Sequence, residues 1–240
     1  MKIFIGLFFA GLLMSVTGFA QDDYLDMKFG IGVPVGKFSD NGLETNGYAG
    51  SGFMMSFEGT YFLGRIGFTG GLTYGMNFLD DVTLQDDITA HLKELFPDVE
   101  ISPDALVQFV TTPWSNVNAL VGPVLSLPVS VIYLEMRAMG GMSFVMPPTW
   151  KMDIESGENK LHSMSSGQSV KLAYLVGAGI AYNSSGNYGL RLGVDYVGTK
   201  TSFGVNYVYE EGITEKPYQE KSVEIPVNMF QTTLGITYTF

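Results

Sequence analysis

The chain contains no cysteine, which excludes a disulfide framework, thiolate chemistry and cysteine-ligated metals, so its stability must come from packing and hydrogen bonding. Basic residues are scarce, with 13 Lys and Arg against 24 Asp and Glu and a formal charge of −11. That balance repels nucleic-acid backbones and argues against such a partner. Histidine is limited to His91 and His162, and tryptophan to Trp114 and Trp150. Beyond the first twenty residues no apolar run reaches the roughly 18 positions that signal a membrane helix. The glycine loops of nucleotide sites, the zinc motifs and the strand-to-helix nucleophile elbow are missing as well. No cofactor, no metal and no enzymatic activity are therefore expected.

What is present begins with "MKIFIGLFFAGLLMSVTGFA", where Lys2 precedes an apolar stretch from Ile3 to about Val16 and the small residues Gly18 and Ala20 follow. This reads as a secretory signal peptide over residues 1–20, with residues 21–240 as one exported domain. Glycine (30), Phe (17) and Tyr (13) are abundant, as suits an all-β chain.

Eight segments carry large apolar residues at every second position. The cleanest is "RIGFTGGLTYGMNF", where Ile66, Phe68, Leu72, Tyr74, Met76 and Phe78 alternate with Arg65, Gly67, Thr69, Gly71, Thr73, Gly75 and Asn77. Strict alternation is the mark of a strand with two unlike faces. The others lie around 26–36, 52–63, 116–128, 131–146, 170–182, 188–198 and 228–240. In the first, Met27, Phe29, Ile31 and Val33 oppose Asp26, Lys28, Gly30 and Gly32. The connections alternate between short ("LGR", a few residues at Pro128, "NSSGN") and long, the long ones spanning about 37–47, 79–115, 147–167 and 204–225. This is the anatomy of an eight-stranded antiparallel up-and-down transmembrane β-barrel with short periplasmic turns and long external loops. The final "LGITYTF" keeps its alternation to Phe240, as a strand does when it pairs with the first to close a ring.

The polar face of the eight segments carries Lys28, Glu58, Arg65, Glu135, Arg137, Lys171, Arg191 and Asp195. Eight strands enclose a space that side chains just fill, so charges of both signs there should pair into a plug. A soluble ligand-carrying barrel, with the aromatic face turned inward, is the alternative topology. In the long connection, Asp87 is placed to cap a helix bearing Ile88, Leu92, Leu95 and Phe96 before Pro97, and Ser102 with Pro103 to open a second. The same stretch clusters Asp80, Asp81, Asp86, Asp87, Glu94, Asp98, Glu100 and Asp104 around Lys93 and His91. It lacks calcium-loop spacing and reads as a solvated surface. His162 sits beside Ser163, Ser165 and Ser166, the residue types of a hydrolase, with nothing to mark an oxyanion hole. Trp114, Trp150, Tyr133 and Tyr196 are expected as interfacial anchors.

The signal peptide, "FGIGVPVGKFS", the "LVGPVLSLPV" run followed by "GGMSFVMPP", and the Phe-terminated strand together resemble the small outer-membrane β-barrel domain proteins of Bacteroidota. More distantly the chain resembles OmpX-type and OmpA-type eight-stranded barrels. The resemblance implies an outer-membrane location in a Gram-negative cell. It also implies that Ile236, Tyr238 and Phe240 form the signal read by the barrel-assembly machinery. Outer-membrane lipid and lipopolysaccharide are the expected surroundings, and an extracellular or envelope protein is an expected partner of the loops. The function expected is structural or surface interaction by a monomer. Transport of small or hydrophobic solutes through the barrel, and a lipid-modifying enzyme using His162, are the alternatives.

Overall fold

All eight alternating segments form antiparallel strands: β1 (Tyr24–Pro34), β2 (Ala49–Leu63), β3 (Ile66–Leu79), β5 (Trp114–Val129), β6 (Ile132–Met146), β9 (Ser169–Asn183), β10 (Tyr188–Glu211) and β11 (Thr214–Thr239). The computed structural model describes residues 22–43, 45–95, 106–156, 159–184, 186–211 and 214–240. The expected signal peptide, Phe96, Pro97, Ser102 and Pro103 lie outside these residues. Each strand pairs with its neighbour in the ring, and β11 closes the circle on β1, with Tyr24 opposite Thr239 and Pro34 opposite Met229.

A ring this small needs strongly coiled strands. Inward-facing glycines allow it where main chains press together: a Cβ on Gly122 would lie 2.1 Å from the Ala138 carbonyl oxygen, and one on Gly141 2.1 Å from that of Ala119. Pro123 follows Gly122, and the β5–β6 ladder skips both, passing from Val121 opposite Gly140 to Val124 opposite Arg137. Proline has no N–H to give a neighbour, as suits a gap in the ladder on that side of the strand.

The outer wall is a belt of exposed apolar side chains, among them Phe57, Phe68, Leu72, Leu192 and Ile236. Aromatic rings edge it at two levels. Tyr188 and Tyr238 meet at 5.5 Å beside Phe240 below, and Tyr196 meets Phe230 at 5.2 Å and Tyr174 at 6.2 Å above. From Tyr188 to Tyr196 a strand at ~3.3 Å per residue and ~40° tilt rises about 20 Å. Above Tyr196 the outward positions turn polar, with an exposed Lys200–Glu224 ion pair at 3.1 Å.

The segments expected as long external loops are in large part strands. β10 and β11 continue upward as a pair, and the 147–167 connection folds as β7 (Trp150–Ser156) and β8 (Asn159–Ser166). β8 pairs with upper β10, β7 with β8, and β4 (Leu106–Thr111) with β7. The order β11-β10-β8-β7-β4 thus repeats β11-β10-β9-β6-β5 below it. Each upper strand continues a barrel strand past a break, at Thr112-Pro113, Pro147-Pro148-Thr149 or Gly167-Gln168. The result is a five-stranded curved hood standing on one side of the barrel. The expectation of a helix opened by Ser102 and Pro103 is corrected here, because 106–111 is strand β4.

The concave side of the hood is filled by α1 (Asp81–Leu95). Its cap is Asp80 rather than the expected Asp87: the Asp80 carboxylate accepts from the Thr83 backbone N–H at 3.2 Å and from its hydroxyl at 2.8 Å. The helix therefore starts seven residues earlier, and Leu84, Ile88 and Leu92, one residue from each turn, are fully buried. They join one apolar cluster with Phe38, Trp114, Trp150, Met152, Ile154, Phe203 and Ile225.

Candidate functional site

The inward faces place the candidate charges in two linked groups. In the lower one, the Arg191 guanidinium donates to both Glu135 oxygens at 3.2 Å, to Asp26 Oδ1 at 2.8 Å and to Thr237 Oγ1 at 2.9 Å. Its Cζ lies 3.2 Å over the Tyr24 ring. Thr237 also donates to Asp26. In the upper group, Lys28 Nζ donates to Glu58 Oε2 at 2.6 Å, and Arg137 donates to the same oxygen and, through two nitrogens, to both Asp195 oxygens. A 3.5 Å contact from Lys28 to Asp26 links the groups. Forked pairing of a planar guanidinium with a carboxylate is the strongest ionic contact that side chains make, and removing one partner would leave a buried charge unmatched.

Six of the eight expected lumen residues thus meet. Arg65 lies on the turn between β2 and β3, where its carbonyl accepts from the Ser126 N–H at 2.8 Å. Lys171 is half-buried high on β9, opposite Ser143, and forms no ion pair among the described residues. Asp26 and Tyr24 belong to the network but were not among the expected residues. For Asp26 the alternation had a signal, since it shares the face of Lys28.

Little space remains around these groups. The gap beside Tyr24, Lys28, Glu135, Arg137 and Arg191 admits water centres over about 20 Å³, enough for about one water. Two residues beyond Arg137 and Asp195 along their strands, buried Met139 and Val197 close in with Met54, Leu120, Leu175 and Met229. Above that apolar layer, Asn116, Asn118 and Ser143 are buried with side-chain atoms that have no partner among the described residues. A third layer is aromatic: Phe38–Trp114, Trp114–Phe203 and Trp150–Phe203 ring centres lie 5.2, 6.0 and 5.9 Å apart. The expectation that both tryptophans anchor the interface is overturned. Trp114 is 2% and Trp150 4% exposed, and their indole N–H groups donate to the Gly47 carbonyl at 2.8 Å and to Ser163 Oγ at 3.3 Å. Tyr133 points inward and is half-buried, while Tyr196 does sit in the upper ring of aromatics.

The residue types of a hydrolase are separated by the sheet. Ser163 and Ser165 point into the hood, where Ser165 Oγ accepts from the Trp150 N–H at 3.1 Å and donates to the Pro148 carbonyl at 2.8 Å. His162 points to the opposite face, its Nδ1 2.6 Å from Asp153 Oδ1. Burial alone would raise the Asp153 carboxyl, but hydrogen bonds from His162 and Lys151 hold it below the usual range. The acidic stretch is similarly occupied: Asp80 caps α1, Asp87 accepts from the Tyr48 hydroxyl, and Glu94 lies 3.8 Å from His91. Burial pushes the Tyr48 hydroxyl up, and the bond to Asp87 adds to it. Asp98, Glu100 and Asp104 lie outside the described residues.

No protein-family model matches the chain, and no curated protein matches it. Solved structures of similar fold include neisserial surface protein A (13% identity, 93% of this chain and 100% of that one, TM-score 0.41). A major outer membrane protein from Thermus thermophilus is 14% identical over 92% of this chain and all of its own, with a TM-score of 0.45. Ail, the attachment invasion locus protein of Yersinia pestis, is 13% identical over 91% of this chain and all of its own, with a TM-score of 0.40.

Proposed function

We propose that this protein is an outer-membrane β-barrel with a sealed lumen, acting as a non-enzymatic structural or surface-interaction protein through its hood. The observation that carries this reading is the filled interior, in which paired charges, an apolar layer and an aromatic layer follow one another along the axis. A solute path would have to displace all three, and the first is held by forked ion pairs. The apolar belt between two aromatic edges faces lipid, with the hood in the water outside and lipopolysaccharide around its base. Export uses the segment 1–20, and insertion uses Ile236, Tyr238 and Phe240 as the signal for the assembly machinery. The hood, whose outward face bears Lys151, Asp153, His162, Lys200 and Glu224, is where an envelope or extracellular protein partner would bind.

Planar-bilayer recording from refolded residues 21–240 tests this reading. A silent membrane, with insertion verified by the heat-dependent gel mobility of folded barrels, is the expected result. Steady openings would move the function to transport, with Glu58 and Arg137 as the residues controlling them.

A further inference from the structure

The belt is not uniformly covered by large side chains. On β5, β6 and β9 three neighbouring outward positions are small or compact: Pro123, Ala138 and Ala178. Elsewhere at this height the outward residues include Phe57, Phe68, Leu72 and Leu192. The small side chains leave a groove of about 780 Å³ in the wall. Val124, Arg137 and Gly177, which occupy inward-facing positions on these strands, also line it. Leu63, Ile66, Leu127 and Met136 form its sides, and Arg65 stands at its lower end on the turn between β2 and β3.

We propose that this groove is a phospholipid site, holding one acyl chain of the periplasm-facing leaflet with the lipid phosphate at Arg65. Two observations select that occupant. The groove lies within the apolar belt and is continuous with it, so a chain of methylenes is the matching solvent, and an unfilled groove would forfeit dispersion contacts along its length. Its volume is that of an ordinary small-molecule site. At the end where a leaflet's headgroups lie, the groove meets one of only 13 basic residues in the chain, and a guanidinium matches the oxygens of a phosphate with paired donors. The inference rests on the reading of the belt as lipid-facing.

Native mass spectrometry of the full mature chain released from nanodiscs of phosphatidylglycerol and phosphatidylethanolamine reads the site directly. The wild-type protein should retain one phospholipid after the bulk lipid is stripped. Ala138→Leu with Ala178→Leu fills the groove from the lipid side and should reduce retention at least tenfold. Should the double variant not fold, Ala138→Leu alone is read the same way. Arg65→Gln should keep the chain-binding groove but lose its preference for phospholipid over added diacylglycerol. Equal retention by the filled variant overturns the site. A dimer that the filled variant abolishes assigns the groove to a second copy instead. If the chain does not enter nanodiscs at all, the lipid-facing reading falls and the site with it, whereas insertion with unchanged retention defeats the site alone.

Discussion

At the scale of single residues, the lumen is governed by three cations shared among four carboxylates. Glu58 shares one oxygen between Lys28 and Arg137, so Glu58→Gln leaves two buried cations facing a neutral amide. The expected cost is about 3–5 kcal/mol, the range for removing one partner of a buried pair. Urea unfolding of the protein in lipid vesicles measures it, and a shift under about 1 kcal/mol would show that water already screens the network. The alternation displayed these charges on one face, since inward position follows from parity along a strand. Which cation meets which carboxylate could not be read that way. Arg191 and Asp26 lie 165 residues apart, and only closure of β11 on β1 makes them neighbours.

The elements of the hood are held together around α1 by an apolar cluster that runs on into the top of the barrel. Ile88 is 0% exposed on the face of α1 that packs into the hood. Ile88→Asp should free the helix, making the hood sensitive to protease while the barrel keeps its folded gel mobility. Loss of both together would mean that the helix is needed for the barrel itself. On the outer face of the hood, the depressed Asp153 carboxyl contributes stability that is present above its ordinary value near 4 and lost as pH falls through its lower folded value. The difference between wild type and Asp153→Asn, roughly 0.5–1 kcal/mol for so exposed a pair, should therefore shrink as pH falls below about 4 and vanish on further acidification. Unfolding curves of the two proteins from pH 7 to pH 2 test it. Helix and hood were the least readable parts in advance. Asp80 and Asp87 are both suitable caps by residue type, and the apolar stripe starting at Leu84 decided between them only once a concave surface was there to bury it. "WKMDIES" and "NKLHSMSS" sit between Pro147-Pro148 and Gly167, signals that mark loops when no long partner strand is known to stand alongside.

For the whole molecule, the belt and the hood divide the chain between two solvents, and the tryptophans report which is which. Both are buried at the hood end, away from the lipid-facing wall. Brominated acyl chains, which quench fluorophores that they touch, should leave Trp emission nearly unchanged in inserted protein, although aromatic residues edge the belt. Strong quenching would show that the upper barrel opens sideways to lipid. The sequence by itself determined the strand class, the number of barrel strands, the lipid-suited face and six of the charges that meet inside. Each of these is a period-two property, recorded between residues one and two positions apart. The tertiary structure alone decided the pairing of the charges, the start of the helix, the burial of the two tryptophans and the continuation of half the barrel wall into a hood. Those depend on which distant segments become neighbours when the ring closes, and no local period carries that information.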